Sequence, residues 1–304
     1  MIRILSTLLA ALLGLAFGSF LNVCLSRWPE GESVVKPRSH CRSCGRTLAW
    51  WENAPLLSWI ALRGRCQTCK ARISWRYPLV ELSVSLLWAV VALKGLTVIE
   101  DPLKPPAFTP YIVVLSICTM GFLWLLVGLA VLDAERLWLP NWITLPGIAL
   151  GFVFSMFNIP NVIHLDSTRN SSRTMTFDAS QHLLYRAAFS AIFGIVVAGG
   201  MVLLIRWIYW LVRRREGIGL GDAKLMAMLG AWLGLSGALL SFAIAAVLGA
   251  VFALGMLAIP AARRGSETWA AAKLPLGTFL CVGGIISALW GQPIIAAYMR
   301  WAGL

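Results

Sequence analysis

A chain of 304 residues that is 59% hydrophobic and only 13% charged carries about half the usual share of charge. Several of its apolar runs are long enough to cross ~30 Å of hydrocarbon, which leaves no room for a large soluble domain and predicts an all-α, polytopic integral membrane protein. The net charge of +13 does not call for nucleic acid: the basic residues fall mostly in connecting loops, and no Arg-rich helix interleaved with stacking aromatics lies outside the apolar runs.

Eight apolar segments follow in chain order, at about 4–25, 79–99, 111–132, 142–160, 183–205, 218–235, 237–260 and 276–297. The first resembles a signal peptide at its start, but it runs on to Leu25 and is followed by a strongly basic stretch that resists translocation, so it reads as a first transmembrane helix. The sixth is weak. Residues 225–235 are too short to span, so the helix has to begin near Gly217 or Ile218. At ~1.5 Å per residue, that places Asp222 roughly 6–8 Å inside the segment. The chain then divides into a first transmembrane helix (1–25), a polar loop (26–78) and a membrane-embedded core (79–304). The polar segment 161–182 reads as an extracytoplasmic loop, and no internal repeat is evident.

Orientation follows from lysine and arginine. The loop 26–78 holds ten of them, and the connections 206–217 and 261–275 add more. With eight spans these fall on one side, which the positive-inside rule makes cytoplasmic, with both termini outside. Asp133 then ends the third span and Asp222 begins the sixth at the same face.

Of seven cysteines, Cys24, Cys118 and Cys281 lie in apolar runs and read as small packing residues. Cys41-x2-Cys44 and Cys66-x2-Cys69, 21 residues apart, sit in the basic loop. Each pair can clamp one side of a tetrahedral ion, and the reducing side assigned to the loop argues against disulfides. A structural Zn2+ is expected, because four thiolates leave no open position; the bland alternative is paired redox thiols. His40, His164 and His182 are scattered and suggest no histidine-based mechanism.

An acid inside a bilayer costs at least a few kcal/mol, so Asp133 and Asp222 are candidates for function. Two carboxylates at one depth suggest an aspartic protease dyad, in which like charges ~3 Å apart cannot both ionise. The bland readings are an Asp133–Arg136 pair one turn apart, and for Asp222 a first-turn helix acid or a pair with Lys224. Gly219 and Gly221 flank Asp222, permit unusual dihedrals and give a substrate strand or neighbouring helix room; with Lys224 they form the expected substrate-approach set. Glu81, Asn22 and Arg27 divide evenly between a site role and a local structural one.

These residues, over nearly the whole chain, resemble the type IV prepilin peptidases. Gly18-Ser19-Phe20-Leu21-Asn22-Val23 with Arg27-Trp28-Pro29 is similar to the family's first-span signature. Pro37-Arg38-Ser39-x-Cys41-x2-Cys44 and Arg63-Gly64-x-Cys66-x2-Cys69 are similar to its cytoplasmic zinc loop. Asp133 with Leu139-Pro140, Gly219-Leu220-Gly221-Asp222, and Leu274-Pro275-Leu276-Gly277-Thr278-Phe279 match its remaining motifs. Glu135 and Asn141 stand where further acids are common, and Leu276 where Phe is common.

The resemblance implies an enzyme of the bacterial inner membrane whose active site faces the cytoplasm. It implies that the enzyme cleaves the basic leader from prepilins or pseudopilins and N-methylates the new N-terminus with S-adenosylmethionine. No residues for that methyl donor are evident, since no Rossmann-type glycine fingerprint occurs. The alternatives are another GxGD intramembrane aspartic protease without methyl transfer, and a cation transporter that uses the buried acids. The partners expected are the substrate pilin and the lipid bilayer, with no nucleic acid.

Overall fold

A computed structural model describes residues 2–101, 109–157, 177–214, 219–258 and 275–303. The described residues are helical apart from loops and two isolated β-bridges, in line with the all-α expectation. In chain order the helices are α1 (Ile2–Arg27), a short α2 (Leu57–Ala61), α3 (Arg76–Ile99), α4 (Thr109–Arg136), α5 (Asn141–Phe157), α6 (Phe177–Arg213), α7 (Leu220–Ala258) and α8 (Leu276–Ala302). Among the described residues, six helices are long and apolar enough to cross a membrane: all but α2 and α5. Their outer faces expose large apolar side chains, such as Leu8, Leu12, Ile117, Val196 and Val251, as lipid contact requires.

That count takes α7 once and leaves out α5, which is where it departs from eight. The expected segments 218–235 and 237–260 are the two helical halves of α7, which meet at Gly234, where φ 69° and ψ 178° leave helical space. That φ is open to glycine and costly for L-residues, so a glycine suits the break. An unbroken apolar helix of 37 residues would measure ~55 Å, well beyond the hydrocarbon thickness. The segment expected at 142–160 is α5, described over 17 residues to Phe157, at the lower end of a spanning length. The start expected near Gly217 also shifts: α7 begins at Leu220, so Asp222 lies in its first turn. Residues 161–176 of the expected extracytoplasmic loop and 261–274 of the basic connection lie outside the described residues.

The chain forms two compact units, Met1–Gly128 and Leu129–Leu304. In the first, α1 and α3 approach closely through small residues. A Cβ added at Gly14 would lie 2.7 Å from the Ser85 Cα, and one at Gly18 would lie 2.7 Å from the Glu81 Cα. Ser85 Oγ donates to the Ala11 carbonyl at 2.9 Å. Small side chains that let backbones meet, with hydroxyls bonding across, are how helices associate where lipid removes the hydrophobic driving force. Two tryptophans tie in the first part of α4: Trp88 Nε1 donates to Met120 O at 3.1 Å, and Trp124 Nε1 to Phe17 O at 3.0 Å.

The second unit is built the same way around α7. The α6–α7 crossing places Gly194 and Gly230 backbone to backbone, leaving no room for a Cβ at either. Trp232 on α7 fills the space over Gly151 of α5 and donates Nε1 to the Gly147 carbonyl at 2.9 Å. Ser287 Oγ of α8 reaches the Gly237 carbonyl at 2.9 Å.

Candidate functional site

Asp133 lies one turn before the end of α4 and is buried, 5% exposed. The chain turns sharply after it: Leu137 takes φ 50° while donating its N–H to the Asp133 carbonyl, and Pro140 begins the cap of α5. The Asp133 carboxylate is held from α8. Thr278 N–H donates to Oδ2 at 2.6 Å, and Thr278 Oγ1 lies 3.1 Å from the same oxygen and 3.1 Å from the Ala130 carbonyl. The packing is tight, since a Cβ at Gly277 would sit 2.8 Å from Asp133 Cγ. Both hydrogen bonds that Asp133 Oδ2 accepts come from Thr278 and not from its own helix.

Asp222 occupies the third position of α7 and is 9% exposed. Its Oδ2 accepts the Gly219 N–H at 3.2 Å, the reach-back bond of a helix capping box. The first-turn reading of Asp222 is therefore correct as far as one oxygen goes, but capping leaves the other without a hydrogen-bond partner among the described residues. Lys224 does not pair with Asp222; its Nζ donates to Asn141 Oδ1 at 2.6 Å, joining the starts of α5 and α7.

The glycines act differently from the expectation of unusual dihedrals, because neither Gly219 nor Gly221 has positive φ. Gly221 makes room instead for Leu139, whose Cβ would lie 3.0 Å from an added Cβ. Leu139 Cδ1 also lies 3.0 Å from where a Cβ on Gly277 would be. One leucine from the turn between α4 and α5 thus packs beside both aspartate-bearing corners. Cys281, one turn beyond Thr278 on α8, is fully buried. The pair expected from the sequence is brought together within one unit, at the ends of α4 and α7 and against the start of α8. Thr278 and Leu139 were quoted in the motifs without a role; their bond and their packing became visible only in three dimensions.

The cysteines form a second cluster, in the first unit. Cys41, Cys44, Cys66 and Cys69 place their four sulfurs within 4.8 Å of one another, a group able to hold a metal ion. The Cys41 and Cys69 sulfurs are 3.8 Å apart, close to the ~3.8 Å edge of a tetrahedron with metal–sulfur bonds of about 2.3 Å. The two turns repeat each other's bonds. Cys41 N–H reaches Arg46 O and Gly45 N–H reaches Cys41 O; Cys66 N–H reaches Ala71 O and Lys70 N–H reaches Cys66 O. Gly45 and Lys70 both take positive φ, 70° and 57°. Gly45 and Lys70, each following its CxxC pair in the sequence, thus close two like turns. Backbone amides aimed into the turns favour thiolate. Those of Cys69 and Thr68 bring the Cys66 thiol down to about 6, and those of Cys44 and Ser43 lower Cys41. At Cys69 the Ala71 amide pulls down, but burial and the neighbouring sulfurs outweigh it and push the thiol up to about 11.

The remaining candidates build the loop. Glu81 Oε2 accepts the N–H of Leu56, a residue at φ 56°, and so fixes α2 to α3. Asn22 Nδ2 donates to Tyr77 O at 3.0 Å, and Arg27 donates to Ser33 O and Pro37 O at 2.8 and 2.6 Å. All three carry structural bonds within the first unit. Glu52, buried, accepts the Ala49 N–H at 2.8 Å and Arg46 at 2.5 Å, which together hold its carboxyl below the usual carboxylate range.

A family model described as the bacterial peptidase A24 N-terminal domain matches residues 12–95, and one described as the type IV leader peptidase family matches residues 120–254. A Pseudomonas putida protein named prepilin leader peptidase/N-methyltransferase is 32% identical over 317 residues, covering 97% of this chain and 94% of its own. The protein of that name from Pseudomonas aeruginosa is 32% identical, covering 96% of this chain and 93% of its own. The one from Myxococcus xanthus is 37% identical over 84% of this chain and 64% of its own. No solved structure matches.

Proposed function

This chain belongs to the type IV leader peptidase family, and on that premise we propose that it cleaves the basic leader from prepilins or pseudopilins with Asp133 and Asp222 as the catalytic pair. The observation that carries the reading is two buried carboxylates, from α4 and α7, whose corners pack about the same leucine, Leu139. Both sit at helix ends rather than mid-span, where an extended peptide and water can reach them. One carboxylate, ionised, takes a proton from the attacking water. The other, protonated, hydrogen-bonds the scissile carbonyl as it becomes tetrahedral. The proton belongs to the pair, which titrates as a unit. Gly219, Gly221 and Lys224 border the approach to Asp222.

The loop 26–78 holds a structural Zn2+ through Cys41, Cys44, Cys66 and Cys69. The sulfur geometry supports this, and four thiolates leave no position for substrate. Zinc there would supply folding energy to a loop that lacks an apolar core of its own. Residues 1–25 serve as the first span and 79–304 as the catalytic membrane core, in the bacterial inner membrane with the aspartates facing the cytoplasm. The loop's positive charge supports that orientation. N-methylation of the new N-terminus, with S-adenosylmethionine as donor, rests on the names of the relatives.

The test is Asp133→Asn and Asp222→Asn, made separately and assayed in detergent on a leader-bearing substrate. Each is expected to lose at least about 10³-fold in rate with the fold retained. Near wild-type cleavage by either variant would remove that residue from the chemistry. Mass spectrometry of the product N-terminus decides methylation, and metal analysis of the purified protein decides zinc.

A further inference from the structure

A cavity of about 530 Å³ opens beside the second cysteine turn, lined by Trp59, Arg63, Arg65, Arg72, Ser74 and Trp75 among others. It falls within the range of small-ligand sites, ~300–1,000 Å³. Its charge is one-sided. The loop pairs Arg42 with Glu30 and Arg46 with Glu52, and none of the three cavity arginines has an acidic partner among the described residues.

Arg65 and Arg72 are, moreover, directly opposite one another in an antiparallel β-bridge. The flanking bonds, Ile73 N–H to Gly64 O and Cys66 N–H to Ala71 O, make theirs the non-hydrogen-bonded position, where side chains stand closest. Like charges facing across such a pair are unfavourable unless something neutralises them. The equivalent position of the first turn holds His40 and Thr47, so the turn itself does not require the arginines.

The other wall is aromatic. The Trp59 and Trp75 rings lie 4.2 Å apart between centroids, and Trp59 is seated by its Nε1 bond to Ile73 O at 3.4 Å. Gly64, at φ 64°, leaves the space that this ring occupies. Trp75 is 67% exposed and immediately precedes Arg76, the first residue of a membrane-spanning helix. Chain continuity therefore puts this end of the cavity at the boundary between hydrocarbon and water. Leu57 and Ile60 of α2 are also exposed, at 71% and 64%. Tryptophan, arginine and exposed aliphatic side chains at that depth form the composition of a headgroup contact.

We propose that this cavity binds the phosphate of an anionic phospholipid headgroup. Arg65 and Arg72 would straddle the phosphate, Arg63 would add charge, and the two tryptophans would lie against the glycerol region. A bound phosphate resolves the facing arginines, and planar guanidinium forks suit its oxygens. The consequence is a loop held down on the membrane surface by a specific lipid as well as by its two flanking spans.

The test uses the full-length protein, delipidated in detergent and offered an equimolar mixture of phosphatidylglycerol and phosphatidylcholine, with retained lipid read by native mass spectrometry. Wild type is expected to retain phosphatidylglycerol preferentially. Arg65→Gln/Arg72→Gln should lower that preference roughly tenfold or more, while Arg65→Lys/Arg72→Lys keeps most of it. Arg213→Gln/Arg214→Gln removes equal charge elsewhere and should leave the preference nearly intact. Metal content and leader cleavage report whether each variant is folded. No preference in wild type, or an equal loss in the Arg213/Arg214 control, overturns the proposal. So does saturable binding of glycerol 3-phosphate or adenosine monophosphate, sensitive to the Arg65/Arg72 change, without lipid preference; that would assign the cavity to a soluble phosphate compound.

Discussion

The cysteine turns and the aspartate corner hold ionisable groups by opposite means. In the loop, each pair of thiols is separated by two residues, and the amides that stabilise it come from the same turn: Thr68 and Cys69 for Cys66, Ser43 and Cys44 for Cys41. At the aspartate corner each carboxylate depends on residues far away in the chain. Asp133 is bonded by Thr278, and Leu139 packs beside both Gly221 and Gly277. The comparison teaches that local chemistry can be assembled by a short turn, whereas a pair of like charges needs the rigidity of several helix ends to hold it together.

Four perturbations sharpen or break this contrast. Removing one thiol, by Cys66→Ser, should abolish tight metal retention and leave residues 33–75 open to proteolysis, because metal affinity and loop folding are one free energy. Metal analysis and limited digestion check it, and undiminished metal would refute the tetra-cysteine assignment. Gly277→Ala should cost roughly 10²-fold in cleavage rate, since its Cβ would meet Asp133 Cγ at 2.8 Å and displace the carboxylate. Metal content should not change. Thr278→Val removes the hydroxyl while keeping the backbone N–H, so a smaller loss of roughly fivefold to tenfold is expected in the same assay. If Thr278→Val were instead as damaging as Asp133→Asn, the hydroxyl would have a direct part in the chemistry.

The smallest effect concerns Glu52. Its carboxyl is depressed in the folded loop by the Ala49 amide and by Arg46, so its contribution is present above the unfolded value and is lost as pH falls through the folded one. Wild type should resist loop proteolysis better than Glu52→Gln at neutral pH, and the difference should shrink below about pH 4. A difference independent of pH would mean that Glu52 acts through packing and not through its charge.

Much of this was legible from residue order. Asp133 and Asp222 stood out because a carboxylate is expensive in an apolar run, and the CxxC pairs because their spacing matches a tetrahedral clamp. Thr278 was not legible as a partner, since a threonine 145 residues from Asp133 carries no spacing signal. The boundary between segments 218–235 and 237–260 was legible, but the positive φ of Gly234 that makes it was not, because hydropathy is blind to a single backbone angle. The facing of Arg65 and Arg72 was hidden for a similar reason: nothing in a run of basic residues tells which two will stand across a bridge.

By itself, then, the sequence determined that this is a helical membrane protein with a sulfur clamp and two misplaced acids, because those facts depend on transfer free energies and on spacings of a few residues. Tertiary structure alone decided how the acids are held. It turned the expected freedom of Gly221 into a seat for Leu139, and it set Asp133 under Thr278. It also set the backbone angle at Gly234 where two expected spans meet. Contacts between helix ends depend on which small residues let backbones meet, and that selection is made only when the helices pack.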